Sequence, residues 1–368
     1  MPSPSPFTVA GNFRFPGEIL SATRFGSGKI NDTFLVVTRE GKFILQRLNP
    51  VVFLQPELVM HNLRTIEAHI TGRIRADVSL RDRRWEVPAV ISTRSGRDLF
   101  QDEEGKSWRA ITFIDHAEAY ETLRNPSHAQ QSGWALGRFH RLLHDLPVEK
   151  LHDTLPGFHV TPGYLKRLEA AAAGPRQRAR AGKKVADCLD FVARRKNVAG
   201  VLEDALKRGE IQRQVVHGDP KVSNILMDSS TAEAIGLVDL DTVKPGLIHY
   251  DIGDCLRSCC NPVGEEAETA EVYFDPEICR LVLQGYLKEA ANFVSTAGLN
   301  FFYDAIRLIP LELGIRFLTD HLEGDTYFKI DHPGQNLERA LVQFHLCRSI
   351  EEQEGEIRAI IAGIPACG

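Results

Sequence analysis

At 368 residues, with 43% hydrophobic and 25% charged residues, the chain is long enough for two cores and has an ordinary globular composition. A formal net charge of -5 argues against a nucleic-acid or anionic-membrane partner. No apolar run approaches the roughly 20 residues of a membrane span, and the start "MPSPSPFTVAGNF" lacks the basic flank and apolar stretch of a signal peptide, so the expected compartment is the cytoplasm.

In chain order, the first third reads as strands and turns. "RFGSGKINDTFLVVTREGKFILQRLN" holds two β-rich runs, Thr33–Thr38 and Lys42–Leu48, separated by the hairpin signal "REG". A proline then opens a helical stretch, "PELVMHNLRTIEAHITGRI", with Leu58, Leu63, Ile66 and Ile70 at helical spacing. "WEVPAVIS" and "WRAITFIDH" add strand-like runs, which together predict a small antiparallel sheet with one helix.

From about His116 the pattern turns helical. "SHAQQSGWALGRFHRLLHDL" repeats Trp134, Leu136, Phe139, Leu142 and Leu143 at amphipathic intervals. The exception is a predicted hairpin of Ile225–Met227 and Ile235–Val238. The expected organisation is therefore α+β and two-lobed: residues 1–115 as a small β-rich lobe and 116–368 as a large, mainly helical lobe.

Seven scattered cysteines do not suggest a disulfide framework. Cys255, Cys259 and Cys260 cluster, but without a C-x-x-C pair they read as free thiols rather than metal ligands. His140 and His144 in "HRLLH" have zincin spacing, yet Arg141 stands where the glutamate belongs, so they read as ordinary helix histidines. The basic run "RQRARAGKK" reads as a solvated helix face, since no aromatics interleave it.

The chemistry concentrates in "VVHGDPKVSNILMD", Val215 to Asp228. Phosphoryl transfer needs charge neutralisation and in-line positioning, and magnesium prefers oxygen ligands. Asp219 and Asn224 have the five-residue separation of the aspartate and asparagine in the kinase catalytic loop. Lys221 lies two residues beyond the aspartate, and Asp239 in "GLVDLDT" ends the second hairpin strand. A lone His-Gly-Asp is a turn; the ordered set of strand, loop, asparagine, strand, aspartate and "YDIGD" points to a phosphotransferase site.

These segments resemble the aminoglycoside phosphotransferase and choline kinase superfamily, whose fold is protein-kinase-like. The resemblance implies ATP as co-substrate and Mg2+ as metal, with Asp219 as catalytic base beside Lys221. It implies Asn224 and Asp239 as metal ligands, with Asp241 assisting, and His217 and Asp254 as braces. Gly26 and Gly28 of "FGSGK" would let backbone amides approach phosphates, although a G-x-G turn alone reads as a hairpin. The lysine expected on the next strand is replaced by Gln46 or Arg47; strand alternation lets only one face the nucleotide, and Arg47 keeps the charge. Its acidic partner would be Glu57 or Glu67. Backbone near Phe113, Ile114 and Asp115 would meet adenine.

Four blocks, "GKINDTFLVVTREGKFILQRLNPVVF", "HGDPKVSNILMD", "VDLDTVKPGLIHYDIGD" and "LELGIRFLTDHLEGDTYFKI", more specifically resemble the N-acetylhexosamine 1-kinases. That resemblance implies an amino-sugar acceptor contacted by Arg316 and Tyr327; the alternatives are a kinase for another small alcohol, of aminoglycoside, choline or homoserine type, and a catalytically weak nucleotide-binding module. Asp320, four residues after Arg316, shares its helix face, where the pair could equally be a salt bridge.

Overall fold

The computed structural model describes residues 4–26, 30–174 and 182–363. The expected contact at Gly28 lies outside these residues, as does most of the basic run.

The N-terminal region is an antiparallel sheet. Strands β1 (Ile19–Arg24), β2 (Asp32–Thr38), β3 (Lys42–Arg47), β4 (Val90–Ile91), β5 (Phe100–Gln101) and β6 (Ser107–Thr112) are joined in the order β1-β2-β3-β6-β4, with β5 also on β6. The predicted β2–β3 hairpin forms with Thr33 opposite Gln46 and Asp32 opposite Arg47. "WEVPAVIS" contributes only the two residues of β4. One face of the sheet closes over Val36, Phe43, Leu45, Trp108 and Ala110.

The Pro56–Ala76 helix follows, with Pro56 in its first turn. Its stripe of Leu63, Ile66 and Ile70 packs with Trp134, Phe139 and Leu142 of the Pro126–Leu143 helix. Each such buried side chain contributes about 1.5–3 kcal/mol, so this shared core joins the sheet region to the helical remainder.

In that remainder the Pro126–Leu143 and Pro276–Ala290 helices touch backbone to backbone. A Cβ on Gly133 would stand 1.8 Å from the Val282 carbonyl oxygen, so only glycine permits this approach. Three short pairings lie among the helices. Strand β7 (Ala117–Glu118) joins the hairpin of β9 (Ile225–Asp228) and β10 (Ala234–Leu237), and β8 (Gln214–Val216) pairs with β11 (Lys244–Gly246). The Phe302–Glu323 helix is buried along most of its length, its polar residues Glu312, Asp320 and His321 included. The six described cysteines are free and buried, and no described helix is long and apolar enough to cross a membrane.

Candidate active site

The predicted loop follows β8 and leads into β9, and the reason for its composition is visible locally. Gly218 has φ +86°, and a Cβ there would lie 2.9 Å from the Thr242 carbonyl oxygen. Thr242 Oγ1 donates to the His217 carbonyl at 2.7 Å. His217 Nε2 donates to the Val238 carbonyl at 3.0 Å, while its Nδ1 accepts the Asp219 N–H at 3.3 Å. That pattern requires the neutral ring, and burial pushes the His217 pKa down in agreement.

The brace on this loop is Asp251, not the expected Asp254. Asp251 is fully buried and accepts the N–H groups of His217 at 2.6 Å and Gly218 at 2.8 Å. His140 Nε2 reaches the same carboxylate at 2.9 Å and holds Tyr286 through its other nitrogen. Asp254 instead binds Arg257 at 2.8 Å, one helical turn away. A second brace comes from His159, which bridges the Gly218 carbonyl at 2.7 Å and Glu312 Oε1 at 2.9 Å. Both His159 nitrogens face acceptors, so the ring is an imidazolium. Burial opposes that charge, but the Glu312 carboxylate outweighs it and raises the His159 pKa.

Held this way, Asp219 meets Lys221 Nζ at 3.1 Å, and the Asn224 carboxamide donates to both the Asp219 carbonyl (2.7 Å) and its Oδ2 (3.1 Å). Asp219's charge, the largest influence, raises the Lys221 pKa. The Val238 N–H donates to the Asn224 carbonyl at 2.9 Å, which draws the ends of β9 and β10 together. Asp239 follows in the left-handed region, φ 63°, a conformation that costs a non-glycine residue about 1–2 kcal/mol. Its side chain is exposed into the cavity over this loop, with protein around it. That desolvation, with Asp241 and Asp219 close by, pushes it up to about 7.

A cavity of about 870 Å³ lies over these groups, lined on the sheet side by Gly26, Gln46, Arg109, Phe113 and Ile114. Gly26 has φ +72°, and a Cβ there would meet nothing within 4 Å, so its freedom of dihedral is what the turn uses. Asp115, expected against adenine, turns away: its carbonyl accepts from Arg84 at 2.7 Å and its carboxylate takes Lys42 at 3.1 Å.

The expectation for Arg47 is also corrected. Arg47 binds Asp32 at 3.1 and 2.5 Å and lies over Trp108, on the face away from the cavity. Gln46 faces the cavity instead. Neither glutamate proposed as a partner pairs with either residue among the described contacts; Glu67 accepts the Val90 N–H at 3.1 Å. Arg109 on β6, directly opposite Gln46 and unmarked by any motif, faces the same cavity. Gln46 Oε1 accepts Arg109 Nε at 2.9 Å and Nη2 at 2.7 Å, and Arg109 pairs with Asp241.

Asp241, expected as an auxiliary metal ligand, is thereby committed. One oxygen meets Arg109 and the other accepts Asn31 Nδ2 at 2.7 Å. Among the described residues no three His, Cys, Asp or Glu side chains form a metal cage. Asp239 and the Asn224 oxygen nonetheless suit magnesium, which binds through one or two protein oxygens together with substrate phosphates.

A second cavity, about 210 Å³, is lined by Val52, Phe158, Tyr164, Arg316, Asp320 and Tyr327, among others. Glu312, Arg316 and Asp320 form one stripe of the Phe302–Glu323 helix at four-residue intervals. Arg316 makes no ion pair with Asp320 among the described residues; its guanidinium sits 5.1 to 5.5 Å from the Phe158, Tyr164 and Phe328 ring centres. Asp320 is not available as a substrate contact. It accepts the N–H groups of Thr326, Tyr327 and Phe328, each at 2.9 Å, and Asn336 Nδ2 at 3.0 Å. It therefore builds the loop that presents Tyr327.

The pattern of the phosphotransferase enzyme family matches residues 21–280. Similar solved structures include an aminoglycoside phosphotransferase from Alicyclobacillus acidocaldarius, at 14% identity and TM-score 0.61, covering 93% of each chain. A microcompartment-associated aminopropanol kinase matches at 18% and 0.59, over 95% of this chain and 98% of its own. A choline kinase from Cryptosporidium parvum matches at 13% and 0.58, over 92% and 91%. At such identities the likeness is one of fold, and it bears out the kinase-like architecture expected from the motifs.

Proposed function

The chain belongs to the phosphotransferase enzyme family, and from that premise we propose that it is a kinase using ATP and Mg2+ to phosphorylate the anomeric hydroxyl of an N-acetylhexosamine, giving a sugar 1-phosphate. In this reading Asp219 accepts the hydroxyl proton as the sugar oxygen attacks the γ-phosphorus, whose bond to the β,γ-bridging oxygen breaks to release ADP. Lys221 neutralises charge on the transferred group. Asn224 and Asp239 would hold the metal, which supplies charge neutralisation at the phosphates.

The observation that carries the acceptor assignment is Arg316 in its cavity. Burial opposes its charge, yet Tyr164, Tyr327, Glu312 and Asp219 keep the guanidinium above its ordinary pKa. A fixed cation among aromatic faces suits a neutral ring bearing hydroxyls and an amide, which offers acceptors to the guanidinium and apolar faces to the rings. Cationic acceptors, such as the amino or quaternary ammonium alcohols named for the three structural neighbours, suit it poorly, because an ammonium group would meet Arg316 directly. Arg167 lines the same cavity, although its partner Glu323 offsets its charge.

The deciding experiment follows ATP consumption with N-acetylglucosamine, N-acetylgalactosamine and a panel of sugars and amino alcohols. Sugar 1-phosphate formation supports the reading. Tight ATP binding without turnover of any sugar overturns it, and turnover of a cationic amino alcohol would move the acceptor class.

A further inference from the structure

We propose that Arg109 is the residue that anchors the nucleotide's phosphates, with Gln46 as its positioning residue, so that the cation missing from β3 is supplied from the neighbouring strand. The inference deepens the phosphotransferase reading above and rests on it.

Gln46 and Arg109 are opposite partners in the β3–β6 ladder. Opposed residues project from the same face of a sheet with their Cβ atoms about 5 Å apart. An arginine on β6 therefore covers much the same space as a lysine on β3. Both residues line the large cavity, and Arg109 is only 2% exposed.

The contacts around Arg109 leave it able to bind. Gln46 Oε1 takes two of its donors, and the Gln46 amide is itself fixed by donating to Thr33 Oγ1 at 3.1 Å. Nη1 lies against Asp241 as an ion pair but has no aligned hydrogen bond. Of the five guanidinium N–H groups, the contacts with Gln46 and Asp241 engage one on each nitrogen, so the second N–H of Nη1 and of Nη2 has no partner among the described contacts, which is costly at a buried site unless a ligand uses it. The single carboxylate recreates the lysine–glutamate pairing that positions the phosphate-binding cation in protein kinases. Asp241 fills the glutamate's part, which explains why Glu57 and Glu67 do not. Arg257, also on the cavity wall, is a weaker candidate, since Asp254 and Glu265 both bind it, at 2.8 and 2.6 Å.

The test compares ADP and adenosine binding to the full chain by calorimetry, without any acceptor. Arg109→Gln is expected to weaken ADP about tenfold or more while leaving adenosine within about twofold, the signature of a lost charge-assisted phosphate contact. Adding Gln46→Lys to that variant is expected to recover most of the ADP affinity. Arg109→Lys, which keeps the pair with Asp241, should lose less than Arg109→Gln and serves if the latter does not fold. Parallel loss of ADP and adenosine, or unchanged ADP affinity in folded variants, overturns the proposal. Failure of the unaltered chain to bind ADP at all would instead strike the phosphotransferase reading, and this inference with it.

Discussion

The two cavities are built from opposed chemistry. The larger gathers Asp219, Asp239 and Asp241 around Lys221 and Arg109, so charges of both signs stand close together. The smaller sets a cation among aromatic rings, and Asp320, the carboxylate on its wall, is turned into backbone amides. A polyanion with a metal needs the first kind of surface, because every added charge must be matched. A polar but uncharged ring needs the second, where shape and a few fixed donors decide. The difference implies separable binding, and no residue lines both cavities.

The largest expected effect tests that separation. Asp219→Asn should lower turnover about a thousandfold while ADP and sugar each still bind; loss of either affinity would show that the base also serves binding. Asp251→Ala removes a buried acceptor from two amides and an imidazole. Its stability should fall by about 3 kcal/mol, read as an earlier denaturant midpoint, with the loop's collapse impairing both substrates. An unchanged midpoint would mean that His159 and Thr242 suffice. Arg316→Met should raise the acceptor KM about 10- to 100-fold and leave ADP affinity alone, which would sharpen the separation.

The smallest effect concerns pH. The His159 pKa is raised in the fold, so its stabilising contribution is complete below its unfolded value near 6.5 and is lost as pH climbs through the folded value. Glu312 is lowered: although burial opposes ionisation, the His159 charge wins, so its contribution is complete above about 4.5 and is lost as pH falls through the folded value. Thermal midpoints of the unaltered chain and of His159→Gln should therefore lie furthest apart at about pH 4.5 to 6.5 and converge above it. A gap that stays constant as pH rises well above that range would contradict the imidazolium assignment.

The meeting of Asp219, Lys221 and Asn224 was legible because they are neighbours in the chain, and a spacing of five between Asp219 and Asn224 carries its own geometry. The sheet-side wall of the larger cavity was not. Alternation says that Gln46 and Arg47 face opposite ways, but which one faces inward depends on how the sheet packs over Trp108. Arg109 became visible only through the β3–β6 register, which no local pattern records. Asp251 and Asp254 lie three apart on one helix, and the rotation of that helix against β8 selected the nearer one. Asp320 escaped for another reason: three of its four partners are main-chain amides, which have no letter in a sequence. The lobe architecture, in contrast, followed from the change of apolar period near His116, a signal spread over many residues.

The loop held by Asp320 separates two kinds of evolutionary change. Because the tether grips the amides of Thr326, Tyr327 and Phe328, their side chains can be exchanged without rebuilding the support beneath them. Inserting or deleting a residue between Asp325 and Phe328 would instead take amides out of reach of the carboxylate. Acceptor preference in descendants of this chain should therefore drift by substitution at constant loop length.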